Sequence, residues 1–259
     1  MGRIFSLVLL LALPVAAFGQ EDTYSRGAVV PKDLDLRITK SWARYSKNLD
    51  SLQKVTATEW DCRKLGLVTP IKNQGSCGSC WDFSGICAIE GACLRANYGT
   101  PDTMLLSEQF VLDCDDNGGC NGDWPETPMQ VAKSKGIPTV QEYGPYQARR
   151  GNCKSNSSMK FYKIEEYGYV GSSSGVPSTQ SIKDALVKYG PLAVAVAADN
   201  AFSNYRAGTV FKGNGTGINH AVNIIGWDDA KGAWLMRNSW GTSWGDGGYM
   251  WIAYGANRI

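Results

Sequence analysis

Two cysteines three residues apart, in the stretch Gln74-Gly-Ser-Cys-Gly-Ser-Cys-Trp81, limit what this chain can fold into more than any other feature. A Cys-x-x-Cys pair works as a redox dithiol, as half of a zinc site, or as a structural cysteine beside a nucleophilic one. Each role needs its own scaffold. A redox pair opens a helix within an early βαβ unit, whereas the sequence before Cys77 offers one short candidate strand, 67–71, and no such unit. A zinc site would have to recruit Cys114 and Cys120, which are more widely spaced than the second pair of an ordinary zinc knuckle.

The N-terminus bears on the same choice. Arg3 precedes an almost wholly apolar run from Ile4 to Phe18, and Ala17-Phe18-Gly19 has the small-x-small form of a cleavage site, so residues 1–19 read as an export signal. That run is shorter than the ~20 residues a spanning helix needs, and no later segment is long and apolar enough. The expectation is a soluble monomer, secreted or extracytoplasmic (periplasm, extracellular space or a lysosome-like compartment). Outside the cytosol the eight cysteines, Cys62, Cys77, Cys80, Cys87, Cys93, Cys114, Cys120 and Cys153, are candidates for disulfides, which favours bridges over zinc. An even count suggests four bridges; one reactive thiol would leave a second cysteine unpaired. A net charge of +2 with no Lys/Arg block predicts neither nucleic-acid nor membrane binding.

With 259 residues, 43% of them hydrophobic and 19% charged, the chain can bury the core of one large or two modest globular domains. Residues 20–32 are polar and without period. Beyond them Ile38, Trp42, Tyr45, Leu49 and Leu52 mark one face of an amphipathic helix. Further helices are expected from 79 or 80 to 95, over 106–114 with entry at Ser107, over 128–135, and over 181–189. Strands are expected over 167–170, 192–197, 220–227, 233–237 and 248–253, with 114–123 a turn-rich loop and 171–175 a connector. Helices followed by strands predict an α+β protein. The expected division is a signal over 1–19, an arm over 20–57, and a domain over 58–259 split into a mainly helical half, 58–161, and a mainly β half, 162–259.

A nucleophilic cysteine needs a base, and the chain has a single histidine, His220. It lies 140 positions after Cys80, and Asn238 lies 18 further on in Arg-Asn-Ser-Trp-Gly. A Cys-Gly-Ser-Cys-Trp stretch near the mature N-terminus, with His and Asn about 130–150 residues downstream, is a known peptidase signature. Four stretches match it together: Asn73 to Trp81, Cys120-Asn121-Gly122, Asn219-His220-Ala221, and Asn238-Ser-Trp-Gly-Thr-Ser-Trp-Gly-Asp-Gly-Gly-Tyr249. From about residue 58 to its end the chain resembles the papain/cathepsin-type cysteine peptidases.

The resemblance implies a papain-like fold of two subdomains, a helical left half and a β-barrel-like right half, with an active-site cleft between them. It implies that Cys80 is the nucleophile, its thiolate favoured by a helix N-terminus and a neighbouring imidazolium. His220 would hold the thiolate and protonate the leaving amine, with Asn238 orienting the ring. Gln74 would donate to the oxyanion together with the Cys80 backbone N–H. Trp240 would shield the His–Asn bond, while Gly122, Asp123, Trp124, Pro125, Ala195, Ile218 and Ala221 would line the substrate cleft. The apolar members imply a hydrophobic side chain two residues before the cut. Cys77 would pair with Cys120 and Cys114 with Cys153, answering the opening choice: the first cysteine is a staple and the second the nucleophile. Cys87 and Cys93, about 9 Å apart along one helix, cannot easily bridge, so Cys62 pairs with either and at least one thiol stays free.

No metal or organic cofactor is implied; the partners are peptide or protein substrates and, as inhibitor, the chain's own N-terminal segment. Four departures from the family pattern stand out. The arm before residue 58 is short, Asp123 replaces a glycine against which substrate backbone lies, Asp82 replaces an alanine beside the nucleophile, and relatives continue beyond the position of Ile259. The rivals are a catalytically impaired binding protein and a transpeptidase or ligase on the same fold.

Overall fold

The computed structural model describes residues 24–41, 54–171 and 175–259. The expected signal over 1–19, helix positions 42–52 and most of the 171–175 connector lie outside them. After strand β1 (Glu59–Asp61) come helices α1 (Cys80–Arg95), α2 (Glu108–Cys114), α3 (Glu126–Ser134) and the single turn α4 (Val140–Tyr143). They are followed by α5 (Thr179–Tyr189) and α6 (Asn200–Ser203) among the strands β2 (Leu192–Val196), β3 (Val210–Phe211), β4 (His220–Asp228), β5 (Ala233–Arg237) and β6 (Tyr249–Ala253). The described residues form an α+β protein, helices first packed on one another and then on a single sheet.

All six strands join in one sheet of order β1-β4-β5-β6-β3, with β2 added on β4. β4 is its centre because its register changes partner: His220 to Ile224 pair with β2, and Gly226 to Asp228 pair with β1. On its other side β4 runs antiparallel to β5. The first eight residues of β4 are all buried, which is why its sequence reads as a continuous apolar run rather than an alternation. β6 alternates instead, Met250 and Ile252 inward and Tyr249, Trp251 and Ala253 half-exposed.

α1 packs against β4, β2 and α3, so it spans the junction between the helical part and the sheet. Close approach there is set by glycine: a Cβ on Gly85 would lie 2.7 Å from the Pro125 carbonyl oxygen, and one on Gly91 2.4 Å from Pro191 Cδ. Side chains stitch the same junction. Ser84 Oγ donates to the Val222 carbonyl at 2.8 Å, and Asn223 Nδ2 donates back to the Ser84 carbonyl at 2.9 Å. α2 starts as its sequence indicates, Ser107 Oγ accepting from the Phe110 N–H.

Several elements differ from the sequence reading. Residues 67–71 and 167–170 form no ladder. At Tyr169 the backbone N–H is taken by Ser41 Oγ of the arm at 2.9 Å, not by a neighbouring strand. α3 begins two residues early because Pro125 pre-sets the helical φ at its N-cap. The arm helix occupies 34–41 among the described residues, starting before Ile38, and Ile38 is buried as the apolar stripe requires.

Two disulfides, Cys77–Cys120 and Cys114–Cys153, close the loops beside α1 and α2. Cys62, Cys87 and Cys93 are all free and buried, so Cys62 pairs with neither of the others. Burial pushes the Cys62 thiol up to about 12 and the Cys93 thiol up to about 11, which leaves them protonated and inert.

Candidate active site

Cys80 is the first residue of α1. Its predecessor Ser79 stands at the N-cap position but does not cap: the Ser79 hydroxyl bonds the Tyr146 hydroxyl at 2.7 Å instead. The helix therefore keeps unsatisfied N–H groups at the sulfur, which is where the positive end of its dipole lies. The N–H groups of Ala221, Gly27, Trp81 and Cys80 itself all favour the thiolate. Ala221 ties this sulfur to the start of β4, next to His220.

His220 Nε2 lies 2.8 Å from Asn238 Oδ1. That oxygen also accepts the Ser239 N–H at 2.8 Å, which fixes the amide orientation and makes Nε2 the protonated ring nitrogen. Nδ1 is then the basic atom, and it is buried without a hydrogen-bond partner in the described structure. The Trp240 indole stacks on the imidazole at 4.4 Å and covers it. Asn238 follows β5 directly, its own N–H bonded to the Gly248 carbonyl at 3.0 Å.

Gln74 is completely buried and held on three sides. Its N–H donates to the Ser239 carbonyl, its Oε1 accepts from Ser239 Oγ at 2.7 Å, and its Nε2 donates to the Cys77 carbonyl at 2.9 Å. The remaining Nε2 proton points to a carbonyl of the arm, Ser25 O, at 3.1 Å.

Residues 24–29 run through the cleft in extended form. Tyr24 stacks on Trp240 at 4.5 Å, and Trp240 Nε1 donates to Ser25 O at 3.1 Å. The Gly27 N–H donates to Cys80 Sγ at 3.1 Å. Beyond it the arm pairs with Asp123: Asp123 N donates to Gly27 O at 2.9 Å and Val29 N to Asp123 O at 3.0 Å, in parallel register. Ala28 is buried in one apolar cluster with Cys80, Trp124 and Ala221, against which Leu34, Ala195 and Ile218 pack. Pro125, next to Trp124, is the N-cap residue of α3. Gly122 has φ +109°, and a Cβ there would come 2.7 Å from Gly27 O, so only glycine admits a strand this close.

The strand 24–29 fills the cleft, and Leu34, at the start of the helix 34–41, packs on the same apolar cluster. That strand carries no periodic signal because its partners are far away in the chain. Ser239, which locks Gln74, was likewise invisible, lying unremarked between Asn238 and Trp240. The two aspartates behave differently from what their charge suggests. Asp123 turns its carboxylate to Thr127 Oγ1, 2.8 Å away, and so leaves its backbone free to pair. Asp82 is wholly buried with neither oxygen partnered in the described structure, and burial raises its carboxyl well above the usual range. Burial thus favours its neutral form, which works against a negative charge beside the thiol.

With the arm in place, burial pushes the Cys80 thiol up to about 11. Burial also depresses His220 to about 3, Arg26 of the arm adding to the effect while Asn238 opposes it. Both groups are neutral in this covered state. Among the described residues no cluster of His, Cys, Asp and Glu has the form of a metal site, and no helix is long and apolar enough to cross a membrane.

Residues 56–259 match the family described as papain family cysteine protease. Fruit bromelain of Ananas comosus is 38% identical over 202 residues, 76% of this chain and 55% of that protein. Digestive cysteine proteinase 1 of Homarus americanus is 38% identical over 212 residues (78% and 63%), and cathepsin K of Mus musculus 36% over 204 residues (76% and 60%). The matched part of this chain thus spans a little over half the length of these relatives. Among solved structures, digestive procathepsin L2 proteinase from Tenebrio molitor larval midgut superposes with TM-score 0.76 at 34% identity, covering 90% of this chain and 74% of that one. The Carica candamarcensis cysteine protease CMS1MS2 in complex with E-64 gives TM-score 0.65 at 38% identity, covering 78% and 93%.

Proposed function

The chain belongs to the papain family of cysteine proteases, and on that premise we propose that it is an exported endopeptidase acting through Cys80 and restrained by its own residues 24–29. The observation that carries this reading is a peptide already lying in the cleft: Ser25 O on Gln74 Nε2, the Gly27 N–H on Cys80 Sγ, and Ala28 in the apolar pocket. A groove that holds backbone, side chain and carbonyl against one thiol is organised for peptide substrates.

In the reaction His220 Nδ1 takes the proton of Cys80, and the sulfur attacks the substrate carbonyl carbon. The resulting oxyanion is held by Gln74 Nε2 and the Cys80 backbone N–H. His220 then returns the proton to the departing amine, leaving an acyl-enzyme that water hydrolyses by the same proton path. Asn238 keeps the Nε2–H tautomer that leaves Nδ1 free for this work. The pocket of Trp124, Ala195, Ile218 and Ala221, with Pro125 beside it, takes an apolar side chain two residues before the cut.

The arm escapes cleavage because it runs backwards. In a substrate the residue in the apolar pocket precedes the carbonyl under attack; in the arm Ala28 follows Ser25. The sulfur faces an N–H donor, and Arg26 sets a positive charge against the imidazolium the reaction needs. Residues 20–57 act as an inhibitory segment, and residues 1–19 direct export.

The test is hydrolysis of short fluorogenic peptides with an apolar residue before the cleaved one, using the full chain, Gly27→Val and Cys80→Ala. A Cβ on Gly27 would lie 1.8 Å from the Gly78 carbonyl oxygen, so valine cannot fit without lifting the arm. The full chain should be slow, Gly27→Val about 5–150-fold faster as expected for 1–3 kcal/mol of overpacking, and Cys80→Ala inactive. A folded Gly27→Val protein that turns over no peptide would overturn the assignment.

A further inference from the structure

Glu126 is a buried charge that the hydrolytic machinery does not use. It opens α3 immediately after Pro125, two residues beyond Trp124 of the apolar pocket. Its side chain is 10% exposed, and its Oε2 accepts from Tyr169 OH at 3.0 Å and from Arg37 Nη1 at 2.9 Å. Tyr169 OH in turn accepts from Trp124 Nε1 at 3.2 Å, which ties the carboxylate to the pocket wall. Tyr167 also contacts Glu126. The nearby Lys133 points elsewhere, to Glu166 at 3.0 Å. The cation at this carboxylate therefore comes from the arm.

The arm fills this region in a definite pattern. Ala28 and Leu34 cover the apolar pocket, and Arg37, one turn beyond Leu34, reaches Glu126. When a substrate displaces the arm, Glu126 loses Arg37 while its tyrosines stay. A carboxylate left at the pocket wall with its tyrosines and no cation offers its charge to the substrate, and a substrate bearing its own cation restores the pair that Arg37 made. A guanidinium fits best, since it meets a carboxylate through paired N–H groups and lies flat on aromatic rings.

We propose that Glu126, with Tyr167 and Tyr169, is a specificity subsite for a basic side chain, arginine above all, on the substrate residue just upstream of the one in the apolar pocket. Arg37 is its resident occupant while the arm is in place. This rests on the peptidase reading and adds a preference to it: basic, then apolar, then the cleaved residue.

The test uses the full chain carrying Gly27→Val and Arg37→Gln, which together lift the arm and vacate the subsite. Its kcat/KM is measured on two peptides differing only by arginine or its neutral isostere citrulline at that upstream position. Arginine should be preferred about 10–100-fold, the range of a hydrogen bond to a charged group. Adding Glu126→Gln should bring the ratio to about 1, and Glu126→Asp should keep part of it. The same peptides are bound to the Cys80→Ala form of each protein and followed by fluorescence anisotropy. A matching arginine advantage in binding sustains the subsite even if turnover fails, which would isolate the fault in the catalytic reading. Equal binding and equal turnover of the two peptides, or a preference that survives Glu126→Gln, would overturn the subsite.

Discussion

Two polar clusters lie buried near α1, and they are built on opposite principles. In one, Lys72 Nζ bonds Glu90 Oε1 and Glu108 Oε1, both at 2.6 Å. Glu90 also accepts from Thr69 Oγ1 and the Leu106 N–H, so its carboxylate is fully engaged. Burial works against the ammonium, but Glu108 and Glu90 outweigh it and hold Lys72 above its ordinary value. In the other, His220 Nδ1 and Asn238 Nδ2 are buried with no hydrogen-bond partner in the described structure. Satisfied polar groups hold the loop 67–74 and the start of α2 to α1. At His220 the unpartnered nitrogen is the one the proposed reaction uses, and a bound reactant would compensate for it.

Substitutions that break the contrast should separate activity from stability. His220→Ala should lower kcat/KM by several orders of magnitude, toward the ~10⁶ seen when one member of such a unit is lost, as measured by progress curves in the Gly27→Val chain. Stability should fall by less than in Lys72→Ala, about 1–3 kcal/mol for the lost Nε2–Asn238 bond and the packing on Trp240, because the basic nitrogen itself gives up no bond. Lys72→Ala should do the reverse to the fold: two buried carboxylates lose their cation, at about 3–5 kcal/mol, read by urea unfolding.

A pH series sharpens the contrast further. His220 is depressed to about 3 in the covered state, so the uncovered or unfolded histidine binds a proton that the covered one does not. The covered form should therefore lose stability as pH falls from about 6.5 toward about 3. The rate of arm cleavage by an added protease should rise over that window in the Cys80→Ala chain, and a rate independent of pH would count against the burial argument.

Asp82 gives the smallest effect and the opposite sign. Its folded carboxyl is raised, so the unfolded state sheds its proton first and stability falls as pH rises above about 4. Asp82→Ala removes a buried group with no bond to lose, relieving about 1–3 kcal/mol of desolvation less the cost of the small cavity. Its net gain should be near 1 kcal/mol and should grow with pH in paired unfolding curves.

The sequence carried some of this and not the rest for identifiable reasons. α1, α5 and β4 to β6 are long enough for periodicity, burial or glycine punctuation to speak. β1 and β3 have three and two residues and show no period. The His220–Asn238 pair was legible because a single histidine leaves no choice of base. The occupied cleft was not: Gly27 meets a residue 53 positions away, and Ser25 one 215 positions away. Nothing local in Tyr24 to Val29 encodes those partners. Glu126 escaped notice for the same reason, as its meaning depends on Arg37, 89 positions earlier.

The most direct test of the whole account is the alkylation rate of Cys80 by iodoacetamide at mildly acidic pH, full chain against Gly27→Val, with Cys80→Ala as blank. Cys62, Cys87 and Cys93 are buried and protonated and should stay silent in all three. The account predicts slow labelling of the full chain and rapid labelling of Gly27→Val, as the thiol and imidazole regain their charges once the arm lifts. Equal, slow labelling of both folded proteins would contradict it, because the thiol would then be unreactive for reasons other than the strand lying across it.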